Sequence, residues 1–269
     1  MAILAHPDDE SLGVGGALAR CAAEGIETCV LTATRGQRGR FFDNTNRPDD
    51  ETVGQVREEE LRCAARELGV RELIVLDYRD GCLDDANPRE AVAAIAGHIR
   101  RIRPQVVLTF DPFGAYGHPD HIAICQFATA AIVAAADPAF GAGSGAPHRV
   151  AKLYYMVTDQ PKWDAYQAAF KTLVSRVDGV ERAATAWPAW SITTRIDTRE
   201  QWPAVWRAVQ CHRTQNAIYA NLATLSGADH EALWGSQTYY RVFSTVNGGR
   251  QLETDLFAGL RDGRGASDR

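Results

Sequence analysis

Two stretches decide how this chain is read: Ala2-Ile3-Leu4-Ala5-His6-Pro7-Asp8-Asp9-Glu10, and Val106-Val107-Leu108-Thr109-Phe110 with His118-Pro119-Asp120-His121 a short loop later. Each is an apolar run that leads into a cluster of imidazoles and carboxylates. The runs read as strands, and Pro7 ends the ladder of the first. Between them lie a helical stretch from Gly13 to Glu24, a strand over Thr28–Thr32, an amphipathic helix from Glu51 to Leu68 and a strand over Leu73–Leu76. Asn87 and Pro88 open a helix that runs to Arg103. Another follows His121 to about Ala136, and Val150–Val157 reads as a fifth strand. This alternation predicts an α/β fold: a Rossmann-like parallel sheet of order 3-2-1-4-5, flanked by helices and joined by right-handed crossovers. In that order strands 1 and 4 are neighbours, and the crevice beyond their carboxyl ends is the switch point where ligands bind. The two clusters are therefore expected to meet in one cleft.

The last part, residues 158–269, is less regular. Helices are expected over Trp163–Val177 and Gln201–Thr214, strands over Ser191–Ile196 and Tyr239–Val246, and fraying over Asp262–Arg269. With no repeat and no hinge, 1–269 reads as a single domain: a core over 1–157 and an irregular α+β C-terminal elaboration. The chain of 269 residues is 45% hydrophobic and 23% charged, an ordinary balance for a globular protein with a full core. A net charge of -5 argues against a nucleic-acid partner. No apolar run approaches the roughly 20 residues of a membrane span, and no signal peptide precedes the first cluster, so a cytoplasmic location is expected. A homo-oligomer is compatible with the sequence. The six cysteines, Cys21, Cys29, Cys63, Cys82, Cys125 and Cys211, form no CxxC pair, and most sit in apolar patterns. Buried free thiols are expected rather than a disulfide framework.

The clusters hold the inventory of metal-assisted hydrolysis: two or three ligands, a spare carboxylate and a spare imidazole. Asp8 and Asp9 are adjacent on an irregular segment, so one can bind a metal while the other stays free. His118 and His121 open a helix three residues apart, and Asp120 can fix the tautomer of an imidazole. Taken alone, acids at a helix start favour the macrodipole and nothing more; His6 beside them points to chemistry instead. Gly13-Val14-Gly15-Gly16 fails the dinucleotide spacing, and neither a GxSxG elbow nor a GxxxxGK[ST] loop is present. Arg57 and Glu60 read more readily as part of a solvated charge run than as site residues, and Asp80-Gly81 more readily as a turn. Tyr116 is a loop anchor or a site lid.

At Ala5–Glu10 and Gly117–His121 the chain resembles the PIG-L/LmbE family of zinc-dependent N-acetylglucosaminyl deacetylases. The likeness extends through Arg57–Leu61, Tyr78–Gly81 and Asp111–Tyr116. Cys211-His212-Arg213-Thr214-Gln215 resembles a weaker C-terminal motif. Around residues 106 to 121 the likeness is to members of the mycothiol pathway. The resemblance implies His6, Asp9 and His121 as ligands of Zn2+ (or of Fe2+ in vivo), Asp8 as general base, His118 as the oxyanion and leaving-group residue, and Asp120 as the group that orients it. It implies Arg57 and Asp80 as substrate-binding residues and Tyr116 as a mobile tyrosine of the site loop.

The expected partner is a small-molecule amino-sugar conjugate, and the expected reaction is removal of an N-acyl group. An amidase acting on another amide of a sugar–thiol conjugate is the alternative. A non-catalytic sugar-binding protein would not need both Asp8 and His118. The loop after strand 2 departs from the mycothiol members, which often carry acids there: here it is Gln37-Arg38-Gly39-Arg40. Guanidinium groups at the rim of the cleft would suit an anionic group on the substrate.

Overall fold

A computed structural model describes residues 1–141, 145–170, 174–177, 179–183 and 186–261. In chain order its elements are β1 (Ala2–Leu4), α1 (Asp9–Leu12), α2 (Gly15–Ala23), β2 (Cys29–Thr34), α3 (Asp50–Glu67), β3 (Glu72–Tyr78), α4 (Pro88–Ile102), β4 (Val106–Phe110), α5 (Gly114–Gly117), α6 (Pro119–Ala136), β5 (Lys152–Val157), α7 (Gln160–Phe170), β6 (Val174–Val177), β7 (Val180–Ala183), β8 (Thr194–Asp197), α8 (Trp202–Cys211), α9 (Asn216–Tyr219), α10 (Gly227–Trp234) and β9 (Ser236–Ser244).

The main sheet has the order β3-β2-β1-β4-β5-β9-β8. Its first five strands are parallel and stand in the order expected from the alternation of elements. β9 and β8 then add antiparallel pairs at the β5 edge, so the C-terminal elaboration continues the same sheet. Every residue of β1, β2 and β4 is buried, as in a parallel sheet covered on both faces. The cap of α4 is as read: Asn87 accepts a hydrogen bond from the Arg89 amide, with Pro88 in the first turn.

Three expectations need correction. Residues 163–177 are not one helix: α7 is described over Gln160–Phe170, and Val174–Val177 is a strand that pairs with Val180–Ala183 in a separate hairpin. Gly179 turns it at a φ of 76°, a conformation open to glycine. Second, α6 is 18 residues long with a mean hydropathy of 1.3, long and apolar enough to cross a membrane. Here it packs on α4, β4 and β1 and is 61% buried, the place of a core helix covered on more than one side. Third, Cys63 and Cys211 form a disulfide between α3 and the end of α8, while Cys21, Cys29, Cys82 and Cys125 are free. The two helices pack together and bring these Cα atoms to 5.8 Å. Apolar periodicity told that both cysteines face inward, not that they face each other. Residues 142–144 and 262–269, the last of which were expected to fray, lie outside the described residues.

Glu253 fastens the added strands. It is 7% exposed, and its carboxylate accepts from Lys152 Nζ (2.8 Å), the Tyr154 hydroxyl (2.8 Å), Thr194 Oγ1 (2.8 Å) and Asn247 Nδ2 (2.6 Å). Arg241 Nη1 lies 2.8 Å away. One carboxylate thus joins β5, β8 and β9.

Candidate active site

Beyond Leu4 the chain leaves the sheet and folds back on itself. The amides of Ala5 and His6 both donate to Asp9 Oδ2, at 3.1 and 2.8 Å. That closure puts Asp8 at a φ of 110°. A non-glycine residue there stores about 1–3 kcal/mol of strain and persists only where its surroundings hold it. Arg57 Nη2 donates to the Pro7 carbonyl at 2.5 Å, and the Asp8 amide donates to Glu10 Oε2 at 3.0 Å. Glu10 is itself buried against His212, with Oε1 2.8 Å from Nε2. Burial opposes the charge on both groups, but their mutual attraction outweighs it: the Glu10 pKa is lowered and that of His212 raised.

The second cluster arrives at the start of α6. His118 caps this helix, its Nδ1 accepting from the Asp120 amide at 3.2 Å. An accepting Nδ1 means a neutral ring with its proton on Nε2. Burial, with the His6 charge second, lowers the His118 pKa to about 4 in keeping with that. His121 stacks on Phe110 with ring centroids 3.8 Å apart.

Between His6 and His121 the hydrogen bonds leave a gap that a cation suits. His6 Nε2 lies 2.9 Å from Asp120 Oδ2 and 3.2 Å from Asp80 Oδ1, so that nitrogen carries a proton. His121 Nδ1 faces the Gly114 carbonyl at 3.3 Å and carries one too. The remaining nitrogens, His6 Nδ1 and His121 Nε2, face each other at 3.1 Å, where either a shared proton or a metal cation can lie against both. Without one, their lone pairs repel. Burial lowers the His6 pKa, but the bonds to Asp120 and Asp80 outweigh it and hold it well above its usual value. Burial and the charges of His6 and His118 hold His121 well below.

Asp9 closes the set, with carboxylate oxygens 3.8 Å from His6 Nδ1 and 3.5 Å from His121 Nε2. Ligands of a four-coordinate ion with bonds of about 2.1 Å stand about 3.4 Å apart. The three separations bracket that value. Burial pushes Asp9 up to about 7. The nitrogen donors of His6, His118 and His121 also fall within 4.8 Å of one another, as do donor atoms of His6, Asp80 and Asp120. The last trio fits a metal less well, because both oxygens of Asp120 already accept from the amides of Gly81 and Leu83, at 2.7 and 2.9 Å, whereas the two amides on Asp9 both meet Oδ2.

With this geometry in place, comparison with known proteins gives the family. Residues 1–132 match the family model described as PIG-L, GlcNAc-PI de-N-acetylase. A 1D-myo-inositol 2-acetamido-2-deoxy-alpha-D-glucopyranoside deacetylase of Streptomyces griseus is 36% identical over 98% of this chain and 90% of its own. The chain belongs to the PIG-L family. A conserved protein of Thermus thermophilus shares the fold at a TM-score of 0.63 and 25% identity, over 92% of this chain and 95% of its own. A 4-carboxy-2-hydroxymuconate hydratase of Pseudomonas putida has the same fold at a TM-score of 0.65 and 20% identity, over 92% and 97%. The PIG-L fold therefore hosts more than one reaction, and side chains must decide between them.

In this PIG-L chain the structure gathers His6, Asp8, Asp9, Asp80, His118, Asp120 and His121 at the carboxyl ends of β1, β3 and β4. It moves some of them from where the resemblance puts them. The Asp120 carboxylate lies on His6; only its backbone amide reaches His118. Asp80 points at His6 and the Arg38 amide, and these contacts with the Arg57 charge lower its pKa against the opposing effect of burial. Arg57 is 4% exposed, no part of a solvated charge run, and holds Pro7, Asp8 and the Gly36 carbonyl. A side chain at Gly36 or Gly39 would collide with its guanidinium. Glu60 is buried as well, accepting from the amide and hydroxyl of Thr214. Tyr116 stands over the two imidazoles, its ring 5.3 Å from His121 and 6.1 Å from His118. It follows Ala115, which is held at a φ of 61°.

The arginine loop divides. Arg35 is bound to Asp77 and Glu51, and Arg47 to Asp50 and three carbonyls. Arg38 and Arg40 are exposed. Arg38 Nη1 lies 3.2 Å from Cys82 Sγ, a weak acceptor, and its amide is tied to Asp80 beside His6. Sequence reasoning assigned no role to the Glu10–His212 pair or to Tyr219. Glu10 stood in the first cluster and His212 in the weaker C-terminal motif; Tyr219 carried no signal.

Proposed function

We propose that this protein is a metal-dependent deacetylase that hydrolyses the N-acetyl group of an N-acetylglucosamine-type conjugate, leaving acetate and a free amine. The observation that carries this reading is the convergence of His6 Nδ1, His121 Nε2 and the Asp9 carboxylate within 3.1 to 3.8 Å of one another, flanked by the carboxylate of Asp8. The set of two imidazoles and a carboxylate suits Zn2+, and Fe2+ accepts the same donors. A divalent ion held there would supply Lewis-acid polarisation and a water acidic near neutrality.

The chain's own residues do the rest. Asp8 takes the proton of the attacking water. His118, neutral with its proton on Nε2, donates to the acetamide oxygen as negative charge develops on it. Asp120 and Asp80 hold the His6 ring so that Nδ1 faces the ligand position. Arg57 holds the turn that carries Asp8, and Tyr116 covers the imidazoles from the substrate side. His118→Ala should lower kcat by about 100-fold or more and change KM little, because this contact strengthens in the transition state. Steady-state kinetics check it; a change confined to KM would make His118 a substrate anchor.

The whole reading is tested by amine release from N-acetylglucosaminyl-inositol, the kind of substrate in the relative's name, and from N-acetylglucosaminides with a carboxylate or phosphate aglycone. Treatment with a chelator should abolish turnover, and added Zn2+ or Fe2+ should restore it. Activity that survives complete metal removal would overturn the reading. Preference within the panel, measured at two salt concentrations, shows whether Arg38 and Arg40 meet an anion.

A further inference from the structure

Tyr219 lies in α9, in the C-terminal elaboration, far along the chain from the first cluster. It is 6% exposed, and its ring belongs to the hydrophobic core. Its hydroxyl leaves that core to donate to Asp8 Oδ2 at 2.8 Å. Arg57 Nη2 reaches the same oxygen at 3.3 Å. Asp8 Oδ1 accepts no hydrogen bond from the described residues. The two oxygens of one carboxylate, equivalent in water, are therefore made unequal.

We propose that Tyr219 is the positioning residue for Asp8: with Arg57 it occupies Oδ2 and leaves Oδ1 as the oxygen that receives the proton. This rests on the deacetylase reading of Asp8. A carboxylate otherwise turns freely about its last torsion, and one anchored at a single oxygen by two donors does not. Arg57 alone is a poorer anchor, since the same nitrogen also serves the Pro7 carbonyl. The segment that carries Tyr219 is held at three points. The Cys63–Cys211 disulfide, the His212–Glu10 contact and the two Thr214–Glu60 bonds lie just before it in the chain. The elaboration thus completes the site rather than decorating it, although none of its residues belongs to the two clusters that define the site in the sequence. At 6% exposure Tyr219 has little surface to offer a substrate, which sets it apart from Tyr116.

The test uses the metal-loaded full chain as wild type, Tyr219→Phe, Asp8→Asn and the double variant. Tyr219→Phe keeps the ring in the core and removes only the hydroxyl. It should lower kcat roughly 10-fold, the scale of one hydrogen bond to a charged group, with KM within about twofold and metal content unchanged. In the Asp8→Asn background the same change should alter residual single-turnover rates by less than about twofold, because the partner it acts through is gone. A wild-type kcat in Tyr219→Phe overturns the proposal. So does an effect on KM alone, or an equal loss in both backgrounds. Crystal structures of wild type and Tyr219→Phe give a readout independent of turnover. The Asp8 carboxylate should hold one orientation in the first and more than one in the second, and a wild-type Asp8 that does not meet Tyr219 overturns the proposal even if the enzyme proves to have another substrate. Loss of the deacetylase reading would appear separately, as no amine release by wild type with Tyr219 still on Asp8.

Discussion

Replacing Asp8 with alanine should leave a folded protein that binds its metal and has lost most of its turnover, with kcat lowered by about 100- to 10,000-fold, the range of a positioned general base. The ligands proposed above are His6, Asp9 and His121, and Asp9 is pinned by two backbone amides that Asp8 does not supply. Metal content should therefore match the wild type. Stability adds a second readout. Asp8 sits at a φ of 110°, so alanine keeps the backbone strain while losing the bonds to Tyr219 and Arg57. Glycine at the same position loses those bonds but relieves the strain, and should melt above the alanine variant. Turnover should be equally poor in both. Near wild-type kcat in either variant at saturating metal would remove Asp8 from the mechanism.

The second large effect is on stability, away from the site. Glu253→Gln should destabilise the fold by about 3–5 kcal/mol, since it leaves the charge of a fully buried Lys152 without its partner. Arg241 loses the same partner but keeps a bond to the Gly249 carbonyl. The effect should depend on pH with a defined sign. Burial raises the Glu253 pKa, yet Lys152, Asn247, Thr194 and Tyr154 together outweigh it and bring it to about 2. An unfolded glutamate titrates near about 4.3. Because the folded value is the lower one, the contribution is whole above about pH 4.3 and is lost as pH falls toward about 2. Urea unfolding of wild type and variant at about pH 7, 6 and 3 should show the same gap at the first two and a narrower one at the third. A gap below about 1 kcal/mol at neutral pH would mean that the network of β5, β8 and β9 is not held by this carboxylate.

Much of the protein follows from its sequence alone. The alternation of apolar runs with 3.6-period stretches determined the parallel sheet, because right-handed crossovers leave few orders for five strands. That order placed the turns after β1 and β4 side by side, so the juxtaposition of His6, Asp9 and His121 was readable from two short clusters. Other features were settled only by the tertiary structure. Which imidazole Asp120 holds depends on the angle at which α6 leaves β4, and it proved to be His6. Burial of Arg57 and Glu60 depends on the arginine loop and residues 212–215 closing over α3. The pairing of Cys63 with Cys211, of Glu10 with His212 and of Tyr219 with Asp8 joins segments that share no local pattern. Periodicity records which side of an element meets the core, since burial repeats along a helix or strand. A single polar contact between distant segments repeats nowhere, and its partner is chosen by how the packed elements meet.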